Sequence, residues 1–196
     1  MSFISGINEP KDMLLKLVRE GNRVNFEDNP ENVMDHFFNF SVTAHSLRDW
    51  CINYLSLQEN KKQLNEAWDN EKYLVIAKDI ANSVKHFKIT MYTPNVKGTS
   101  SSIIQGVVFY STENIPAKME KARQSAEYRE SRTEESPSFI VTFTDGTTEN
   151  LTDYVFKTVK YWVGYFDSHG IPRHVVDHHS IFLNRLCWIN HLTNCS

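Results

Sequence analysis

The residues best suited to chemistry are Asp79, Asn82 and His86, which fall in one segment of helical pattern, together with Arg48 in an earlier one. On a helix Asn82 and His86 are one turn apart and Asp79 is a further turn back, so the three side chains can address a single point. Imidazole can act as a general base near neutral pH, Asp can orient it, and Asn or a flanking lysine such as Lys78 or Lys85 can hold a phosphate oxygen. The competing reading is a solvated helix face whose lysines pair with carboxylates on neighbouring helices.

Two other clusters compete with this one. His45 and Asp49 are also one turn apart, but a helical wheel puts His45 beside an apolar arc near Met34, Phe38 and Ile52, where a buried, hydrogen-bonded histidine is expected. Arg48 paired with Asp79 would make an interhelical salt bridge, a pairing that would also organise a site. The segment RHVVDHHS contains His174, Asp177, His178 and His179; if helical, His174 and His178 have the spacing of two metal-ligating histidines. It lacks the intervening glutamate of a zinc hydrolase, so exposed histidines are the expectation and no metal is assigned. A Gly-rich phosphate loop, a GxSxG elbow and a dinucleotide fingerprint are all absent from the chain, which has only 7 glycines from which to build them.

The elements that must position these residues can be read from periodicity. Asn8-Glu9-Pro10 opens a helix carrying Met13, Leu14, Leu17 and Val18, with Gly21-Asn22 as the expected stop. Asp28-Asn29-Pro30-Glu31 opens a second helix running to about Leu57. Its apolar arc is Val33, Phe37, Phe40, Ala44, Leu47, Cys51 and Leu55; Asp35, His36, Asn39, Thr43 and Ser46 lie opposite. After a polar connector from Gln58 to Asn70, Glu71 to Phe87 is again amphipathic. If the two helices are antiparallel neighbours, Arg48 lies level with Lys78 and Asp79, and His45 with Asn82.

Beyond Lys88 the pattern changes. Ile89 to Tyr92 and Ser102 to Tyr110 are β-prone and predict a hairpin or two loosely paired strands. Ala117 to Glu135 reads as an exposed helix or connector. Ser138 to Thr144 followed by Asp145-Gly146 is a hairpin signal. Leu151 to Phe166 returns to helix, with Thr152 or Asp153 as caps and Gly170 and Pro172 at its end, and Ile181 to Leu192 predicts a last docked helix. The expected architecture is α+β in one domain over 1–196: a helical core over 1–90, a β-hairpin region with a charged connector over 91–150, and C-terminal helices over 151–196.

Composition narrows the function classes. A net charge of -3 argues against general electrostatic binding of nucleic acid, though a local basic patch would still allow it. Three widely spaced cysteines without a CxxC pair argue for a reduced, cytoplasmic setting and against a thiolate zinc site. The N-terminus does not read as a signal peptide. No apolar run approaches the roughly 20 residues of a membrane span, so no membrane partner is expected.

The run Asn82-Ser-Val-Lys-His86 on a helical core resembles the HEPN superfamily, whose ribonuclease members carry an Arg, a polar residue, a short spacer and a His. The resemblance covers about the first ninety residues and implies Asn82 as the polar residue and His86 as the catalytic histidine. The position before Asn82 is Ala81, where the motif carries Arg; Lys78 or Arg48 would have to supply the cation from elsewhere. Such proteins occur in toxin–antitoxin and phage-defence systems and commonly act as dimers. DHFFNFSVTAHSLRDW followed by DIANSVKHFK is also similar to bacterial proteins of about this size to which no activity attaches. The implied function is an RNA- or nucleotide-binding homodimer, in its catalytic form a metal-independent ribonuclease. His86, Asn82 and Arg48 would be catalytic, Asp79, Lys78 and His45 would bind ligand, and no cofactor would be needed. The rival expectation is a noncatalytic homodimeric protein-interaction module.

Overall fold

Asn29, placed just before an aromatic-rich run, starts the helix on which the other elements pack. Its side chain accepts hydrogen bonds from the backbone N–H groups of Glu31 and Asn32, and Pro30 occupies the first helical position, where no N–H is missed. The computed structural model describes residues 5–85, 89–107 and 133–174, and in it this helix, α2, spans Pro30–Tyr54. It is buried on several sides: Thr43 and Ser41 are as inaccessible as Phe40 and Leu47. The wheel's placement of Thr43 on the outer face is therefore corrected, because a second helix covers that side.

That helix is α1 (Pro10–Phe26), which runs antiparallel to α2. Lys16 Nζ donates to Thr43 Oγ1 at 2.7 Å, and the buried Glu20 accepts from Lys16 and Arg23 while facing His36 at 3.8 Å. The cap of α1 is Glu9 rather than Asn8, and the Asp12 carboxylate accepts from both of their N–H groups. The helix does not stop at Gly21-Asn22. Burial of Val24 against the core outweighs the cost of about 1 kcal/mol that an internal glycine imposes.

The stretch from Gln58 to Asn70 is not a plain connector. It forms a 3₁₀ turn (Gln58–Asn60) and helix α3 (Lys61–Trp68), whose last residue, Trp68, is 1% exposed. α4 (Lys72–Lys85) follows and packs beside α2. Residues 89–92, expected to be β, are not a strand; the chain instead wraps over α4, bringing Tyr92 back to Asn82. β1 begins later, at Val96, and runs to Val107. It pairs antiparallel with β2 (Thr133–Phe143), which pairs through the Asp145-Gly146 turn with β3 (Thr148–Asn150), in the order β1-β2-β3. Thr133 to Glu135, read from sequence as the end of a charged connector, thus belong to β2.

α5 (Leu151–Ser168) closes the core. Its cap is Asn150 rather than Thr152 or Asp153, and Gly170, at φ 63°, ends it. Tyr154 meets Phe37 and Phe40 edge-on, and its hydroxyl shares a 2.9 Å hydrogen bond with Ser41 Oγ. Trp162 and Tyr165 pack on Trp68. Phe139, Val141 and Phe143 of β2 add the sheet's contribution, with Phe139 stacked on Phe37. One hydrophobic core thus joins the five α-helices to a small antiparallel sheet among the described residues, an α+β fold. The predicted helix over Ile181 to Leu192 and most of the Ala117 to Glu135 segment lie outside the described residues.

The end of α2 is closed by paired backbone bonds. The N–H of Ser56 donates to the Asn53 carbonyl and that of Leu57 to the Ile52 carbonyl, with Ser56 at φ 56° in the left-handed region. Glycine suits that conformation better than serine. Ser56→Gly is expected to raise unfolding free energy by about 0.5–1 kcal/mol, measured by urea denaturation.

Candidate functional site

The polar residues singled out from the sequence gather where α2, α3 and α4 meet the start of β1. α2 supplies Arg48 on the flank that turns toward α4, and the residue is only 3% exposed. Its Nη1 lies 2.6 Å from Asp69 Oδ1, and its Nη2 donates to the carbonyls of Leu74 at 3.1 Å and Trp68 at 3.4 Å. A guanidinium has five donors in a rigid fork, which suits one carboxylate and two main-chain oxygens at once. Trp68 contributes its ring as well, 5.8 Å from the guanidinium carbon.

Asp69 is the hub, and it holds two cations. Lys78 Nζ sits 2.8 Å from its other oxygen, 4.6 Å above the ring of Tyr92. Burial alone would raise the Asp69 carboxyl, but the hydrogen bonds and charges of Lys78 and Arg48 outweigh it and hold the group below the usual carboxylate range. The expected Arg48–Asp79 pair does not form. Asp69 takes Arg48 because it ends α3 directly beside the guanidinium, whereas Asp79 faces the chain entering β1.

Asp79 is 2% exposed, and its Oδ2 accepts from the backbone N–H of Asn95 at 2.7 Å and of Val96 at 3.0 Å. It thereby anchors the first residue of the sheet to α4, while its Oδ1 has no partner among the described residues. Asn82 donates to the Tyr92 hydroxyl at 3.1 Å. Burial pushes that hydroxyl up to about 12, the Asn82 bond works against the rise, and the Asp79 carboxylate adds to it.

His45 is half-buried on the same side of α2, and its Nδ1 is buried without a partner among the described residues. Burial is the main force pulling its pKa down to about 4; Arg48 and Lys78 lower it further, while Asp49 and Asp69 oppose them. At neutral pH its imidazole is uncharged. Asp49 itself pairs with Lys61 at the surface, 2.8 Å away.

The structure therefore brings Arg48, Lys78, Asp79, Asn82 and His45 into one region, though Arg48 and Asp79 are bound to different partners there. His86 lies outside the described residues, as do Asp177, His178 and His179. His174 meets Asp12 at 3.3 Å, and no group of three His, Cys, Asp or Glu side chains among the described residues is placed to hold a metal ion. Sequence reasoning missed Asp69 and Tyr92. The signal for Asp69 was Trp68 beside it: a tryptophan in a stretch otherwise polar marks a segment that must dock. Comparison with protein-family models, with curated proteins and with solved structures finds no match for this chain.

Two outcomes follow from this geometry. Asp69→Ala leaves a buried guanidinium without its counter-charge and should cost about 3 kcal/mol. Lys78→Ala removes the less buried partner and should cost about 1 kcal/mol or less; chemical denaturation at pH 7 compares the two. The second concerns pH. The folded value of His45, about 4, lies below its ordinary 6.5, so between these pH values the unfolded chain binds a proton that the folded protein does not. Stability should fall as pH drops from about 6.5 toward 4. The same denaturation series on His45→Asn should show a shallower slope across that window.

Proposed function

We propose that the chain is a noncatalytic protein-interaction module that works as a homodimer. The observation that carries this reading is the commitment of Arg48, Lys78 and Asp79 to the fold itself. A cation that stabilises charge developing on a phosphate must point free donors at the place where that charge appears. Arg48 instead directs its Nη donors at Asp69 and two backbone carbonyls, Lys78 pairs with the same carboxylate, and Asp79 holds the entry to β1. These contacts are what a helical scaffold needs to carry a sheet rigidly. No helix among the described residues is long and apolar enough to cross a membrane.

A second reading, a HEPN-like RNA- or nucleotide-binding protein that acts as a metal-independent ribonuclease of a toxin or phage-defence type, draws on a different observation. The His45 imidazole is uncharged and half-buried, and the charges of Arg48 and Lys78 act on it, so a neutral titratable group stands beside two cations. In that reading His86 moves the proton as the 2′-hydroxyl attacks the adjacent phosphate, Asn82 orients the phosphate, and Arg48 or Lys78 balances the developing charge.

The readings separate in two measurements on the full chain. The interaction module predicts a concentration-dependent dimer by sedimentation velocity and intact total RNA after incubation with the protein and a chelator. RNA cleavage that survives the chelator and disappears in both His86→Ala and Asn82→Ala, with their melting temperatures unchanged, would replace it with the ribonuclease.

A further inference from the structure

The strand β1 extends past the helices that cover the rest of the sheet. Its register sets Thr99 opposite Val141 and Ser101 opposite Phe139, so Thr99 and Ser101 belong to the face that β2 turns into the core. Val141 and Phe139 are buried, yet Thr99 and Ser101 are exposed, and Ile103 on the same face is 64% exposed. The helical layer covers β2 and the start of β1 at Val96, and it leaves Thr99, Ser101 and Ile103 uncovered.

The outer edge of this strand is also unpaired among the described residues. β1 is the end strand of the order β1-β2-β3, so among the described residues no strand lies against its other side. Exposed edges are ordinarily guarded by charge, proline, a bulge or shortness. Here the guards sit only at the strand's start, as Lys97 and the irregularity between Val96 and Gly98. From Gly98 to Ile103 there is no charge and no proline, and β1 runs for 12 residues.

We infer that two copies of this chain pair β1 against β1, antiparallel, about a two-fold axis at Ser101, which joins their sheets into one continuous sheet. The inference rests on the homodimer reading and names its interface. A second copy fits this edge better than a charged peptide, which would find no opposite charge between Gly98 and Ile103. Hydroxyl groups both donate and accept, so the run Thr99-Ser100-Ser101-Ser102 is complementary to itself. Centred on Ser101, the pairing sets Ser100 opposite the partner's Ser102 and the Thr99 methyl opposite the partner's Ile103. It gives that exposed side chain an apolar neighbour and keeps the two Lys97 ammonium groups at opposite ends of the paired segment. An isologous contact of this kind closes on itself and does not propagate into a fibre.

The test is sedimentation velocity on the full chain over a concentration series, comparing wild type with the double variant Thr99→Lys/Ser101→Lys. Both positions are exposed, so the fold should keep its circular dichroism and melting temperature. The dimer dissociation constant should rise at least about tenfold, as lysine does at guarded edges. Mild oxidation of Ser101→Cys should in parallel give a disulfide-linked dimer well above the wild-type background from the native cysteines, and this cross-link decides alone if the lysine variant does not fold. A wild-type dimer that resists both lysines and yields no Ser101→Cys cross-link overturns the β1 interface and leaves the homodimer standing on another surface. A wild-type chain that stays monomeric throughout overturns both.

Discussion

A guanidinium almost wholly withdrawn from water, that of Arg48, sits where α2, α3 and α4 converge, and the arrangement of those helices follows from pairing its two Nη groups, while its Nε has no partner among the described residues. Desolvating such a charge costs several kcal/mol unless a counter-charge and further acceptors are supplied in good geometry. Asp69 supplies the charge at 2.6 Å, and the carbonyls of Leu74 and Trp68 supply the acceptors. All three come from the α3–α4 junction: Trp68 ends α3, Asp69 follows it, and Leu74 lies in the first turn of α4. That junction can reach Arg48 only if α3 folds back on the bundle, and the same fold-back drives Trp68 into the aromatic cluster with Trp162 and Tyr165. Ion pair and hydrophobic core thus support each other.

From this centre the constraint passes to the sheet. α4 is held by Lys78 on Asp69, and one residue later Asp79 receives the N–H groups of Asn95 and Val96. The sheet therefore starts from a point fixed to the helices, and β2 lays Phe139, Val141 and Phe143 against α2 and α5. Beyond Val96 the anchoring ends. Further along β1, Thr99, Ser101 and Ile103 are exposed, so the strand leaves the helical layer behind. Polar groups that looked available for chemistry do the joining, whereas the hydroxyl-rich strand that looked unremarkable holds the free surface.

Much of this was legible in the chain. The starts of α2 and α5, the apolar arc of α2, the Asp145-Gly146 turn and the α+β class all follow from local rules, because caps, turns and periodicity act over a few residues. Local rules failed at Gly21 and at Gln58 to Asn70. At Gly21 the burial of Val24 outweighed a local preference of about 1 kcal/mol; Gln58 to Asn70 is rich in helix formers, and its polar composition hid the docking of Trp68 against Trp162 and Tyr165. For the candidate site, a wheel could place Arg48, Lys78, Asp79 and Asn82 near one another, but their partners could not be read. Asp69 lies in a stretch that looked like a connector, and Tyr92 in one that looked like a strand.

The sequence by itself determined where α1, α2, α4 and α5 lie, which residues are apolar enough to form the core, and that polar groups of both signs would meet near Arg48. Only the tertiary structure decided that Arg48 chooses Asp69 over Asp79, that Asp79 caps the entry to β1, and that β1 pairs with β2 and with no other strand among the described residues. The physical reason is separation in sequence. A cap or an apolar stripe is settled within one or two turns of chain, whereas the choice between two carboxylates depends on where α3 and β1 are carried once the core has closed.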